Sequence, residues 1–318
     1  MPPLATIDLG ALPGLSDHRS GKVRESWALP GSRRVLVTTD RLSAFDRVVG
    51  TVASKGQVLN QLSAWWFERT ADIVPNHLLA VPDPNVSVVV AATPLPVEVV
   101  VRGRLTGSTS TSLLPRYEAG ERHLYGQHLP DGLERHGPLP APLVTPTTKA
   151  AAGGHDEPVS PSEVVERDLV APELWDEVVA AALALFERGR AVAAGAGFVL
   201  ADTKYEFGLG PDGRLLLIDE VHTPDSSRYW AVESLEQRLA AGNEPESFDK
   251  EPVRLALRAT GYRGDGPPPE LDPETWAEAS RRYVALYQRL TGNSLVPGRE
   301  PAAERIADAV HGVVRQEP

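Results

Sequence analysis

The sequence predicts an α+β protein, and three observations carry that expectation. β-Branched runs broken by Pro and Gly fill the first hundred residues, helical periodicity with capping signals dominates from about residue 160, and residues 198–219 read as a charged β-hairpin. A chain of 318 residues with 42% hydrophobic content is long enough for two domains, or one large one, around a sizeable core.

In order along the chain, residues 21–29, 33–39, 86–92 and 97–101 read as strands. One helix interrupts them at about 56–72, where Val58, Leu62, Trp65, Trp66 and Arg69 fall at helical spacing and assign the tryptophans to a core. Residues 103–158 are rich in Pro, Gly and Thr and show no periodicity, so they are expected to be a long functional loop. Arg102, Arg104, Ser108 and Thr109 cluster at its start, and Thr145, Lys149, His155, Asp156 and Glu157 at its end. Ser160-Pro161-Ser162-Glu163 is a capping box with Pro at the first helical position. Pro172 opens an Ala-rich helix through about Ala194 that stops at Gly195 and Gly197, before a strand from Phe198. Asp272-Pro273 caps a helix to Leu290 ended by Gly292, and Pro301 opens a last one.

The net charge of -11 and pI near 5.3 argue against a nucleic-acid or anionic-membrane partner, so an anionic ligand has to meet a local cationic pocket. No apolar stretch is long enough for a membrane span and the N-terminus lacks signal-peptide order, which makes the cytoplasm the expected setting. The absence of cysteine removes disulfides, thiolate nucleophiles and cysteine-ligated metals. Of 32 basic residues only five are lysines, namely Lys22, Lys55, Lys149, Lys204 and Lys250. That bias suggests lysine is kept where a compact ammonium serves better than a planar guanidinium.

The hairpin carries most of the chemistry. Strand alternation puts Asp202, Lys204 and Glu206 on one face, and the Gly-, Pro- and Asp-rich turn 208–213 returns the chain into a second strand ending near Asp219. If paired residue numbers sum to an odd value, Asp219 joins that face; if even, Glu220 does. Either way two carboxylates adjoin, an arrangement suited to Mg²⁺ held by one or two carboxylates plus substrate phosphates. Gly208, Gly210 and Gly213 match a dinucleotide fingerprint but join two strands, which excludes that fold. Ser20-Gly21-Lys22-Val23-Arg24 can place a lysine on phosphates, although no Walker loop or kinase Asp-Phe-Gly is present. The segments 102–112 and 224–228 combine Arg, hydroxyls and turn amides as two anion clamps, suggesting two phosphorylated ligands. His222, alone beside a strand end, reads as structural.

Taken together, the ordered motifs resemble those of the SAICAR synthetase (phosphoribosylaminoimidazole-succinocarboxamide synthase) family over nearly the whole chain. They are Ser20-Gly-Lys-Val-Arg24, Thr39-Asp-Arg-Leu-Ser-Ala-Phe-Asp46, Lys55-Gly56 with Trp66-Phe67, Val97-Glu-Val-Val-Val-Arg102 with Thr106-Gly-Ser108, and Thr145-Pro-Thr-Thr-Lys-Ala150 with His155-Asp156. Ala201-Asp-Thr-Lys-Tyr-Glu-Phe-Gly208 and Asp219-Glu220 with Thr223-Pro-Asp-Ser-Ser-Arg-Tyr-Trp230 complete the set. The resemblance implies a small antiparallel β domain at 1–101, with one helix, and a larger α+β ATP-binding domain at 102–318 carrying the metal, ribotide and aspartate sites, with ATP between them. It implies an ATP-dependent ligase of purine synthesis that joins L-aspartate to carboxyaminoimidazole ribotide, with small-molecule partners only, as monomer or homodimer. By the family pattern, Lys22, Arg24, Glu98 and Val100 bind ATP, the last two on a strand edge at the adenine. Glu206 and Asp219 hold Mg²⁺; Arg102, Ser108 and Arg228 grip the ribotide phosphate; Asp156, Asp202, Lys204 and Asp225 line the reaction centre. Glu25 stands where the family usually has Asp, and the segment after Asp249-Lys250 lacks the family's usual aromatics. These departures leave open a paralogue acting on a related heterocyclic carboxylate or another amino acid, and a small-molecule kinase is the further alternative.

Overall fold

The computed structural model describes residues 2–10, 12–107, 112–149 and 157–315, so Ser108, Thr109, His155 and Asp156 lie outside the described residues. The chain begins with β1 (Ser16–Ser20), β2 (Arg24–Leu29), β3 (Arg33–Thr38), β4 (Arg41–Ala44) and β5 (Arg47–Thr51), then α1 (Lys55–Thr70), β6 (Leu78–Asp83), β7 (Val86–Val90) and β8 (Thr93–Arg104). It continues through α2 (Leu113–Glu118), β9 (His123–Leu124), β10 (Gln127–His128), β11 (Pro138–Thr148), α3 (Pro161–Glu166), α4 (Pro172–Gly195), β12 (Phe198–Leu209), β13 (Leu215–Ile218) and β14 (Ser227–Ala231). Four helices close it: α5 (Val232–Ala240), α6 (Glu251–Ala259), α7 (Pro273–Thr291) and α8 (Ala302–Arg315).

Two antiparallel sheets organise these elements, one in the order β1-β2-β3-β7-β6 and the other β11-β8-β12-β13, with β14 also paired to β12. In the first sheet strand alternation buries Trp27, Leu29, Val35, Val37, Val86 and Val88 against the N-terminal Leu4, Ile7 and Leu9 and against Ile306 and Val310 of α8. In the second, Val97, Val99 and Val101 of β8 and Tyr205 and Phe207 of β12 enter a larger core with α4 and α1. Trp66 is fully buried there and Trp65 packs on its edge, as the helical spacing predicts. Removing the Trp66 indole would cost about 3–5 kcal/mol.

The capping signals appear where the sequence puts them. Ser160 and Glu163 form a reciprocal capping box, Asp272 caps α7, and Gly292 ends it with φ of 73°. The long loop expected over 103–158 is instead partly regular, with β11 as its main element. Pro138, Pro140, Pro142 and Pro146 hide that strand from a periodicity reading. Proline cannot donate to a ladder, and β11 tolerates four because it is the sheet's edge, bonded on one side to β8. Upstream, α2 and the short β9–β10 pair close a small core of Leu105, Leu113, Leu114, Tyr117, Leu124 and Leu129. The short helices α5 and α6 were also not apparent from the sequence pattern.

The sheets part at residues 91–92, whereas the boundary expected at 101/102 falls inside β8. The apolar face of the first sheet is covered jointly by the N-terminal segment and by α8 from the far end of the chain.

Candidate active site

A cleft of about 700 Å³ opens between the sheets. The β1–β2 turn, with Gly21, Lys22 and Val23, lines one side, and the cleft faces of β8 and β12 line the other. Register explains the second wall. Asp202 lies opposite Arg102, Lys204 opposite Val100, and Glu206 opposite Glu98, so the polar face read from β12 is extended by its neighbour.

Lys204 Nζ donates to Glu98 Oε1 at 3.0 Å and Glu206 Oε1 at 2.6 Å, and Lys149 bonds the other Glu206 oxygen. Burial works against the Lys204 charge, but Glu206 and Glu98 more than offset it and hold its pKa well above the ordinary lysine value. For Glu206 burial is likewise outweighed, by Lys204 and Lys149, and its pKa falls below the usual carboxylate range. Glu98 shifts upward, chiefly through burial. Glu98 and Val100 do line the cleft, but not on a strand edge: β8 is bonded to β11 on one side and β12 on the other. Its backbone groups are spent in the two ladders, so only side chains from these positions meet a ligand.

The hairpin register is even, with Glu206 opposite Ile218, which by alternation alone would turn Glu220 and not Asp219 to the Glu206 face. The strand ends at Ile218, however, and Asp219 has φ of 65°, which breaks the alternation. Both carboxylates line the cleft: Arg24 Nη1 bonds Asp219 and Nη2 bonds Glu220 at 2.5 Å. Asp219 is pushed up to about 6 by burial and by repulsion from Glu206 and Glu220, only partly offset by Arg24. Arg24, expected at ATP, is thus engaged with carboxylates in this structure.

At the far end of the wall, Asp202 is shared by two arginines. Its Oδ2 accepts from Arg102 Nη1 at 2.9 Å and from Arg228 Nη1 at 2.6 Å, and Arg102 Nε also donates to Thr145 Oγ1 at 3.0 Å. Asp225 faces Lys55 Nζ at 2.7 Å and accepts from Tyr283 at 2.7 Å. Burial would raise the Asp225 pKa, but Lys55 and Lys250 pull it below its ordinary value.

Lys22, Lys204 and Lys250 line the cleft, Lys149 pairs with Glu206 on its wall and Lys55 with Asp225, so all five lysines stand at this site or directly behind it. Lys55 and Lys149 stand in the ordered motifs without an individual role, and the scarcity of lysine is the further signal for them and for Lys250. Glu251 and Arg254 of α6 also line the cleft and carried no such signal. His222 is buried, bonds the Tyr205 hydroxyl at 2.6 Å and is pushed down to about 3 by burial, in keeping with a neutral structural role.

Among the described residues no three acidic or histidine side chains converge as a metal cage. Glu206 and Asp219 nevertheless fit Mg²⁺: they are hard oxygen donors on one cleft, mutually repelling, and Mg²⁺ takes one or two carboxylates plus phosphates.

Fold and site together define an α+β enzyme whose cleft is densely lined by charged side chains of both signs. The family model for SAICAR synthetase matches residues 17–269. A protein of Mesorhizobium japonicum is 50% identical over 296 residues, covering 92% of this chain and 94% of its own length. A Legionella pneumophila phosphoribosylaminoimidazole-succinocarboxamide synthase is 48% identical over 283 residues, covering 88% of this chain and 89% of its own. The structure of the Saccharomyces cerevisiae SAICAR synthase complexed with SAICAR superimposes with a TM-score of 0.76 at 29% identity, over 92% of this chain and all of that one. The chain belongs to the SAICAR synthetase family, carbon–nitrogen ligases of purine biosynthesis. Among the described residues no helix is long and apolar enough to cross a membrane.

Proposed function

We propose that this protein is an ATP-dependent ligase that condenses L-aspartate with the carboxylate of carboxyaminoimidazole ribotide, yielding SAICAR, ADP and phosphate, in the cytoplasm. One observation supports this most directly: a single cleft is lined both by Lys22, Glu206 and Asp219, which we assign to Mg-ATP, and by Arg102 and Arg228, paired on Asp202, which we assign to the ribotide phosphate.

A carboxylate is a poor acyl donor because its departing oxygen is strongly basic. Phosphoryl transfer from ATP converts that oxygen into a phosphate leaving group, and the aspartate amine then attacks the acyl carbon. Arg102 and Arg228, with Ser108 by the family pattern, hold the ribotide phosphate, and Asp202 positions both guanidinium groups. Lys204, kept charged by Glu98 and Glu206, offsets charge on the transferring phosphoryl group, and Lys22 meets the ATP phosphates from the opposite wall. Asp225, kept ionised by Lys55, faces the reaction centre, to which the family pattern adds Asp156. Glu206 and Asp219 would hold Mg²⁺, which would supply further charge neutralisation at the phosphates.

A second reading, the paralogue with altered substrate, draws support from α6. Its sequence departs from the family pattern, and it presents Glu251 and Arg254 to the cleft.

The decisive assay is coupled ADP release with the ribotide and aspartate, glutamate, alanine or no amino acid, with the amide product checked by mass. Aspartate should be much preferred over glutamate, because an extra methylene held by the same carboxylate anchors displaces the amine from its attack distance of about 3–3.5 Å. Strong preference for another amino acid would favour the paralogue, and full turnover without an amine would favour a kinase.

A further inference from the structure

Arg41 begins β4, is 8% exposed, and stands behind the cleft wall. Its guanidinium is spent largely on backbone: Nε donates to Lys22 O at 3.0 Å, Nη2 to Gly21 O at 2.8 Å, and Nη1 to Ala5 O at 2.8 Å. The same Nη1 lies 2.8 Å from Glu25 Oε1. Glu25 is itself buried, accepts from Ser20 Oγ at 2.9 Å and lies 3.0 Å from His18 Nε2. One buried ion pair therefore grips the turn 20–24 from beneath: Arg41 takes the two central carbonyls, and Glu25 takes the Ser20 side chain.

The geometry of a peptide unit gives this a consequence for the cleft. A trans peptide is planar, with its N–H pointing opposite to its C=O. The carbonyls of Gly21 and Lys22 are drawn inward to Arg41, so the N–H groups of Lys22 and Val23, which belong to those same two units, point outward to the side the cleft occupies. Neither N–H is spent on another group among the described residues. Two successive N–H groups aimed the same way make an anion-binding concavity.

We propose that Arg41, held by Glu25, is a positioning residue for nucleotide binding: it fixes the peptides of Gly21 and Lys22 so that the Lys22 and Val23 amides face the phosphate chain. Arg41 touches no substrate. A planar fork is needed, because a lysine ammonium at this place cannot span two carbonyls and a carboxylate in one plane. The inference rests on the nucleotide reading of the cleft proposed above.

The test uses the full chain and calorimetry with ADP and with adenosine. Arg41→Lys should weaken ADP at least tenfold and leave adenosine, which lacks the phosphates, within about twofold. In steady state the KM for ATP should rise while the KM for the ribotide holds. Glu25→Gln, which keeps the side-chain shape, should show the same split more mildly and serves if Arg41→Lys fails to fold. Equal loss of ADP and adenosine would mean general distortion and overturn the proposal, as would unchanged ADP affinity in both variants. If the wild-type protein binds no ADP, the nucleotide reading itself fails, an outcome separate from wild-type binding that the variants leave untouched.

Discussion

Replacing Arg228 with alanine isolates one of the two cations assigned to the ribotide phosphate. In the structure Arg228 and Arg102 converge on the same Asp202 oxygen at 2.6 and 2.9 Å, so losing Arg228 leaves Asp202 paired and the strand pairing of β12 intact. The buried carboxylate is not orphaned, and the fold should survive. What is lost is one charge-assisted contact to the ligand, about 1.5–3 kcal/mol. At about 1.4 kcal/mol per decade that raises the ribotide KM roughly ten- to a hundredfold. The ATP KM should change little, because Arg228 is assigned to the ribotide phosphate and not to the nucleotide. Steady-state ADP release with each substrate varied in turn measures both. An unchanged ribotide KM beside a raised ATP KM would refute the assignment and move Arg228 to the nucleotide.

Glu206→Ala and Asp219→Ala should each nearly abolish turnover and lose the stabilisation by Mg-ATP; wild-type activity in either would sink the metal assignment. Lys55→Met removes the fully buried partner of Asp225 and should cost about 3–5 kcal/mol in urea unfolding, with a melting temperature close to wild type counting against the pair. His222, held neutral with a pKa of about 3, makes the folded state bind fewer protons than the unfolded one below about pH 6.5. Its contribution is therefore fully present above that pH and is lost as the pH falls toward 3. Unfolding free energies between pH 7 and pH 4 should drop less steeply in His222→Gln than in wild type, and parallel slopes would remove His222 from the account.

The sequence alone determined what is local. Period-two alternation assigned Asp202, Lys204 and Glu206 to one face, and capping chemistry marked Ser160, Asp272 and Gly292 as helix ends. Composition singled out five lysines, of which three proved to line one cleft and two to pair with its carboxylates. Those signals survive because they depend on dihedrals and side-chain types within a few residues. Tertiary structure decided everything that depends on register or distant closure. The left-handed residue at Asp219 overrode the parity of the hairpin, and β11 became a strand because a sheet edge tolerates its prolines. Glu98 and Val100 lost the edge expected of them because β11 covers it. The pairs Lys55–Asp225, Lys149–Glu206 and Arg24–Asp219 join residues far apart in the chain. No periodicity encodes such pairs, since the free energy that selects them is that of burying opposite charges together, which exists only once the tertiary fold has brought their elements side by side.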